Sequence, residues 1–525
     1  MTLTIEQAAG QQFLLSFTGK REPPLALRTI LARQHVGGIV LFRARNMGTL
    51  EELRGLTAEL QHAAAEAGQP PLLIAADQEG GQLMAVGQAT PFPGNMALGA
   101  TRSEKLAHRV GRAIGREMAA LGINVDFAPV SDVNNNPRNP VVGTRSFGED
   151  PKLVGVMAAA MIKGLQASGV AAAAKHFPGH GDTASDSHYA AAVLPHDMGR
   201  IRRVELPPFR AAIAAGVRMV MTAHIAFPAL NGGSDAPATM SRALLDGLLR
   251  RKLGFDGIIV TDAMDMKALE QGPGYAADAL AAVAAGADLL LFNHDLARVE
   301  PAWATLAQAA RRGLVSSEQV YASAARVLAL KKWLGKRKQP PLDAVCSREH
   351  CALAHEVARR SITLVRDSAN RLPLRLEPGA RIAVVTPCPR DLTPADTSSY
   401  LKPELAAAIR RYHASVDAFE VPMNPPAAEI GALCGRLAGY DLVVAGTINA
   451  TEAPGQAALI DSLLKRKANV MAIALRLPYD LAAYPALSTY ICTYGILPPS
   501  MDAVADAMFG KAGFPGRLPV TVQAA

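Results

Sequence analysis

The sequence predicts an α/β protein in two parts, an N-terminal TIM-type (β/α)8 barrel followed by a smaller α/β sandwich domain. Three observations predict it. Eight short apolar runs alternate with Ala/Leu-rich stretches of helical period. A basic segment with a Pro-Pro break then interrupts the pattern, and a second series of apolar runs begins beyond it. The chain's 525 residues also exceed what one hydrophobic core usually serves.

The eight runs lie at 12–17, 38–42, 72–76, 123–127, 171–175, 219–223, 257–261 and 287–292. In such a barrel the functional site is built from loops at the C-terminal ends of the strands. Unusual polar residues stand there. The third run leads into Asp77-Gln78-Glu79-Gly80-Gly81 and the fourth into NNNPRNPVVGTRSFGEDP, which carries Arg145. The fifth leads into KHFPGHGDTASDSH, residues 175–188, and the seventh into Thr261-Asp262-Ala263-Met264-Asp265. The barrel is expected to span 1–334, ending in the helix SSEQVYASAARVLALKKWLG, which Gly335 closes. Residues 335–345 form a linker. The second domain, 346–525, contains RIAVVTP, DLVVAGT, NVMAIAL and TYICTYG between helical segments. No GxGxxG follows a strand and no Walker motif occurs, so nucleotide binding has no support.

Half the residues are apolar and 19% are charged, a balance typical of a soluble α/β enzyme. The net charge of +8 is modest for this length. Its densest run, Lys331 to Lys338, sits at a helix's negative pole, which reads as a solvated helix end plus linker, and no nucleic-acid recognition motif accompanies it. The N-terminus lacks a basic n-region, and no stretch approaches the ~20 apolar residues a membrane helix needs. A cytoplasmic protein without membrane association is expected. Five cysteines, all beyond residue 345 and without a CxxC pair, indicate neither disulfides nor a zinc ribbon and read as buried or idle thiols.

The stretch 175–188 gathers three of the chain's twelve histidines with Lys175, Asp182 and Asp186. His176 and His180 would share a face of a helix, but Pro178-Gly179 argues against a helix, and HExxH is absent. No metal and no cofactor are expected, although a loop site of His180, Asp182 and His188 stays geometrically open. Asp186 and His188 are two apart. In an extended segment they share one side, so the carboxylate accepts the imidazole N–H and leaves the other nitrogen for proton exchange. An Asp-Ser turn with an incidental histidine fits the spacing equally well. Asp262 stands at the mouth of a strand, where a carboxylate is costly unless functional or paired, and fits a nucleophile. Asp265 fits a helix N-cap, and Met264 and Met266 fit packing.

DQEGG, NPVVGTRSFGEDP, KHFPGHGDTASDSH and VTDAMDM occur here in the order in which the glycoside hydrolase family 3 β-N-acetylhexosaminidases carry them. The chain resembles that family over the whole barrel. ARRSITLVRD and FGKAGFPGRLPVTV extend the resemblance to the domain appended in longer members. The resemblance implies a retaining exo-acting β-N-acetylglucosaminidase in which Asp262 is the nucleophile and His188, paired with Asp186, is acid and then base. It places Asp77, Arg145, Lys175 and His176 in the sugar pocket, with His180 and Asp182 shaping the loop and His224 open to either role. Terminal GlcNAc on peptidoglycan fragments is the implied substrate. Phosphorolysis, a glucose- or xylose-directed enzyme, and a sugar-binding sensor without turnover are the alternatives. Two departures bear on the substrate: Gln82 and Ala85 stand where bacterial members commonly carry arginines, and Leu194-Pro195 follow the DSH element late. The sequence does not set the oligomeric state.

Overall fold

The structure is a computed structural model and describes residues 3–189, 191–269, 274–293, 296–336 and 338–522. The first part is a closed barrel of eight parallel strands in sequential order. They are β1 (Phe13–Leu15), β2 (Gly38–Val40), β3 (Leu73–Ala76), β4 (Val125–Asp126), β5 (Ala171–Phe177), β6 (Met219–Thr222), β7 (Ile258–Ala263) and β8 (Leu289–Phe292). Each of the eight apolar runs holds all or the greater part of one. Alternate side chains divide between two cores, as a strand's period of two requires. Leu14, Val40, Leu73, Ala173, Met221 and Val260 fill the barrel. Leu15, Ile39, Ile74, Ala174, Val220 and Ile259 face the surrounding helices.

Two strands run further than their apolar runs, and both do so irregularly. The register of β5 against β6 shifts between Ala174 and Phe177, and that of β7 against β8 shifts between Val260 and Ala263. Lys175, His176 and Asp262 therefore stand on strand ends, at bulges that re-aim side chains, rather than in the loops beyond.

The helix Ser317–Leu334 is capped by Ser316, whose side chain accepts from the Gln319 amide, and by Gly335. Its Val327 and Leu330 join the core inside the barrel. The expectation of a solvated basic end holds only in part. Lys331 is buried and donates to Gln11 Oε1 at 2.7 Å, and burial pushes its ammonium down to about 7. Arg337 of that run lies outside the described residues.

The second part is a six-stranded sheet formed by β9 (Thr363–Asp367), β10 (Ile382–Pro387), β11 (Val416–Val421), β12 (Leu442–Thr447), β13 (Val470–Ala474) and β14 (Thr489–Cys492). The order is β9-β14-β13-β12-β10-β11, parallel except for antiparallel β9. Ala383, Val385, Val443 and Ala445 face one apolar layer, and Val384, Leu442 and Val444 the other. Strands buried on both faces read as continuous apolar runs, which is why they stand out in the sequence. The first layer also includes Met96, Ala97 and Ala100 of the barrel-side helix Asn95–Thr101, so the two parts share a packed interface. Cys346 and Cys388 are exposed rather than buried, and Cys346 Sγ lies 3.1 Å from Cys351 Sγ. No helix among the described residues is long and apolar enough to cross a membrane.

Candidate active site

The C-terminal ends of the barrel strands open into a cavity of about 600 Å3 lined by Asp77, Arg145, Lys175, His176, His188 and Asp262, among others. All seven expected site residues except Asp186 line it, and Asp186 sits directly behind His188.

Lys175 organises the floor. Its ammonium reaches Asp77 Oδ1 at 2.5 Å and Glu79 Oε1 at 2.7 Å. Arg145 holds Glu79 through two parallel bonds, Nε to Oε2 at 2.9 Å and Nη2 to Oε1 at 2.8 Å, the fork geometry that favours arginine. Burial raises the Glu79 carboxyl, but the charges and hydrogen bonds of Arg145 and Lys175 outweigh it and hold the group down at about 2. Burial alone would lower Lys175, yet Asp77 and Glu79 raise it above the ordinary lysine value. Both groups stay charged, and Asp77 is the most accessible of the set. Lys175→Met leaves Asp77 and Glu79 short of a cation and should cost about 3–5 kcal/mol of stability in urea unfolding.

His176 is fixed by Asp132, a residue not among those expected from the sequence. Asp132 is fully buried, accepts the His176 and His180 amides at 3.1 and 2.8 Å, and accepts the His176 Nδ1–H at 2.7 Å. That leaves His176 Nε2 as the free nitrogen. Asp132 lies in the segment after β4, whereas Asp262 lies on β7 itself. An acidic residue among the polar residues that follow an apolar run is the signal that could have found Asp132.

Asp262 Oδ1 accepts the Ala263 amide at 2.8 Å. Burial raises its carboxyl, but the imidazoles of His176, His224 and His188, with that amide, bring it down to about 2. It is therefore an anion at any working pH. His224 is buried between Thr239 Oγ1 at 2.7 Å and the Ala263 carbonyl at 2.9 Å, so it braces the strand that carries Asp262 and does not line the cavity. Asp265 caps no helix among the described residues, contrary to expectation; its Oδ1 accepts the Asn293 amide at 3.2 Å and it lines the cavity.

Asp186 Oδ1 accepts the His188 amide at 2.9 Å and the ring Nδ1–H at 2.6 Å. The Asp-Ser turn and the carboxylate–imidazole pair are thus the same structure. Burial raises Asp186, and the hydrogen bond and charge of His188 lower it by more. The loop is shaped by the other polar residues. His180 sits between Thr183 Oγ1 and Ser187 Oγ at 2.8 and 3.0 Å, and Asp182 pairs with His196 at 2.5 Å. Each of these two has partners other than His188, and no group of three or more His, Cys, Asp or Glu side chains that could hold a metal ion converges among the described residues.

Burial, reinforced by the charge of His176, pushes His180 down from 6.5 to about 4. An unfolded histidine gains its proton near the upper value, whereas the folded one gains it only near the lower. Between them the unfolded state binds more protons, so stability falls as pH drops. Tm should decline from pH 6.5 towards pH 4, and the decline should be shallower in His180→Gln; an unchanged slope contradicts this account.

Residues 5–330 match the family model described as the glycosyl hydrolase family 3 N-terminal domain. The chain belongs to glycosyl hydrolase family 3. Membership makes it a glycoside hydrolase, with its barrel and appended sandwich placed as in its relatives. A family 3 β-N-acetylglucosaminidase structure from Paenibacillus sp. FPU-7 superimposes with a TM-score of 0.94 and 37% identity, covering 100% of both chains. A β-hexosaminidase A from Pseudoalteromonas piscicida is 33% identical over 99% of this chain and 97% of its own. A β-glucoside phosphorylase bound to 2FGlc matches with a TM-score of 0.83 and 25% identity, covering 100% of this chain and 95% of its own.

Proposed function

We propose that the chain is a retaining exo-β-N-acetylglucosaminidase working through a covalent glycosyl-aspartate. The observation that carries this reading is that β7 delivers the anionic Asp262 into the same cavity as His188, whose ring Asp186 holds at 2.6 Å. The full-length likeness to a β-N-acetylglucosaminidase supports the choice of sugar.

Asp262 attacks the anomeric carbon as its bond to the leaving oxygen breaks, and His188 Nε2 gives that oxygen its proton. Asp186 stabilises the imidazolium that must donate. Water then loses a proton to His188 Nε2 and attacks the glycosyl ester, which frees Asp262 and restores the starting anomer. The usual second carboxylate of a retaining glycosidase is here an imidazole. Meanwhile Asp77, with Lys175, Arg145 and His176 around it, holds the hydroxyls, and charged hydrogen bonds strengthen as oxocarbenium character develops. Terminal GlcNAc on peptidoglycan fragments in the cytoplasm is the natural substrate this reading assigns.

One observation favours a second reading. A neutral imidazole does not repel an incoming anion, so phosphate can compete with water for the glycosyl-enzyme, and a phosphorylase shares this fold. Release of nitrophenol from its β-GlcNAc and β-glucoside derivatives, with and without phosphate, decides between them. Preference for GlcNAc independent of phosphate supports the hydrolase; phosphate-dependent release supports phosphorolysis; turnover of neither sugar contradicts both.

A further inference from the structure

Cys346 and Cys351 sit at the seam between the two parts of the chain. The helix Arg348–Ser361 that follows the linker packs against both: Leu353, Ala354 and Val357 join the apolar layer around the barrel, and Ala358 joins a layer of the six-stranded sheet. Its start is pinned to the barrel by Glu117 of the helix Glu104–Ala120. One oxygen of that buried carboxylate accepts the Cys346 amide at 3.2 Å and the His350 Nδ1–H at 2.7 Å, and the other accepts the Thr90 amide at 2.9 Å.

Ser347 caps the helix, its side chain accepting the His350 amide at 3.3 Å. Cys346 is then the residue just before the cap, and Cys351 the fourth residue of the helix. Side chains at those two positions meet when a hydrophobic staple fixes the entry of a chain into a helix. Here both are thiols. Their sulfurs lie 3.1 Å apart, and the Cys351 sulfur is 3.4 Å from the Cys346 carbonyl oxygen. A disulfide holds its sulfurs at about 2.0 Å, so about 1 Å of closure remains, within reach of side-chain rotation. Cys346 also has a φ of 51°, in the left-handed region that favours glycine or asparagine. A thiol is thus carried at a position whose backbone suits a smaller residue. Cys346 is exposed and Cys351 partly so, which gives a small oxidant access, whereas Cys434 and Cys492 are buried.

We propose that Cys346 and Cys351 are a reversible oxidation site, a dithiol that a low-molecular-weight disulfide converts into a covalent staple at the seam. The exposed Cys346, as thiolate, attacks one sulfur of the small disulfide, whose S–S bond breaks and whose other half leaves as a thiol. The Cys351 thiolate then attacks the Cys346 sulfur, the mixed disulfide breaks and the second half leaves. The two cysteine protons end on the two released thiols, and two electrons pass from the cysteines to the oxidant. Burial and the Cys351 thiol push the Cys346 thiol up to about 11, which slows the first attack at neutral pH. It also leaves the reduced pair without a stabilised thiolate, which favours the disulfide at equilibrium. Neither cysteine lines the cavity, and the site does not rest on the glucosaminidase reading.

The full chain is held with excess glutathione disulfide at mildly alkaline pH until the products no longer change, then alkylated and digested with trypsin, which cuts after Arg348 between the two cysteines. The disulfide keeps peptides 339–348 and 349–359 joined, two hydrogens lighter than their sum, and dithiothreitol separates them. Exposed Cys388 is the internal control and should carry glutathione. The oxidised protein should melt about 2–5 °C above the reduced one. Neither link nor shift should occur in Cys351→Ser or Cys346→Ala, and Cys351→Ser should retain glutathione on Cys346. Separate glutathione adducts on Cys346 and Cys351 in the wild type, or free thiols at both once Cys388 is fully modified, overturn the site. A joined pair without a rise in Tm, or the same rise in the two variants, overturns the staple.

Discussion

Asp262→Ala is expected to lose at least about 10⁴-fold in kcat/KM, because the glycosyl ester cannot form without its carboxylate. Loss alone would also follow from a misfolded strand, so the decisive part is rescue. Removing the carboxylate opens space on the nucleophile's side of the sugar, and azide entering there should restore turnover of an activated glycoside and give the α-glycosyl azide. The fold should tolerate the change, since the hydrogen bond that Asp262 Oδ1 accepts comes from its own neighbour's amide. A variant that keeps more than about a tenth of wild-type activity sinks the assignment. The depressed carboxyl also has a pH consequence. Asp262 protonates only near pH 2, so a loss of activity at about pH 4–5 must arise from another group.

His188→Ala should separate substrates by leaving group. Alkyl and saccharide leaving groups need the proton and should slow by about 10²–10⁴-fold in kcat/KM, whereas an activated aryl group departs without it and should slow far less. Breakdown of the glycosyl-enzyme also needs the base, so kcat for the aryl substrate should fall while its kcat/KM holds, with KM dropping as intermediate accumulates. Azide should then attack from the opposite face and give the β-glycosyl azide. Asp186→Asn keeps the turn but removes the charge behind the ring, and should give a smaller loss with the same leaving-group pattern. An equal loss for aryl and saccharide substrates contradicts the acid role.

Much of this was legible in the sequence because barrels place their chemistry predictably. Short runs buried on both faces marked the strands, and polar residues at their ends marked the site, so Asp77, Arg145, Lys175, His176, His188 and Asp262 could be gathered into one cavity from spacing and resemblance. The bulges in β5 and β7 were not legible, since an irregular register leaves no compositional trace. Asp132 was missed because it stands in the irregular segment after β4, beyond the strand end where Asp262 sits. Lys331 looked like one more cation in a basic run, and only the helix's rotation against Gln11 buries it. Asp391 and Tyr400 of the second domain also line the cavity, and their placement depends on contacts between residues far apart in the chain, as in the Gln82–Ala395 bond, which no local pattern encodes. Gln82 nevertheless stood out as a departure from the family's usual arginine, and the structure shows what it does there. It fastens the second domain to the DQEGG turn.

The claim at the centre of this account is that a sugar becomes covalently attached to Asp262. The direct measurement is to incubate the protein with a 5-fluoro-GlcNAc β-fluoride, which forms a glycosyl-enzyme readily and releases it slowly, and to locate the adduct by peptide mass mapping. The account requires a mass increase of one glycosyl residue on the peptide containing Asp262, lost again as activity returns. Turnover without any adduct, or an adduct on a different carboxylate, contradicts it.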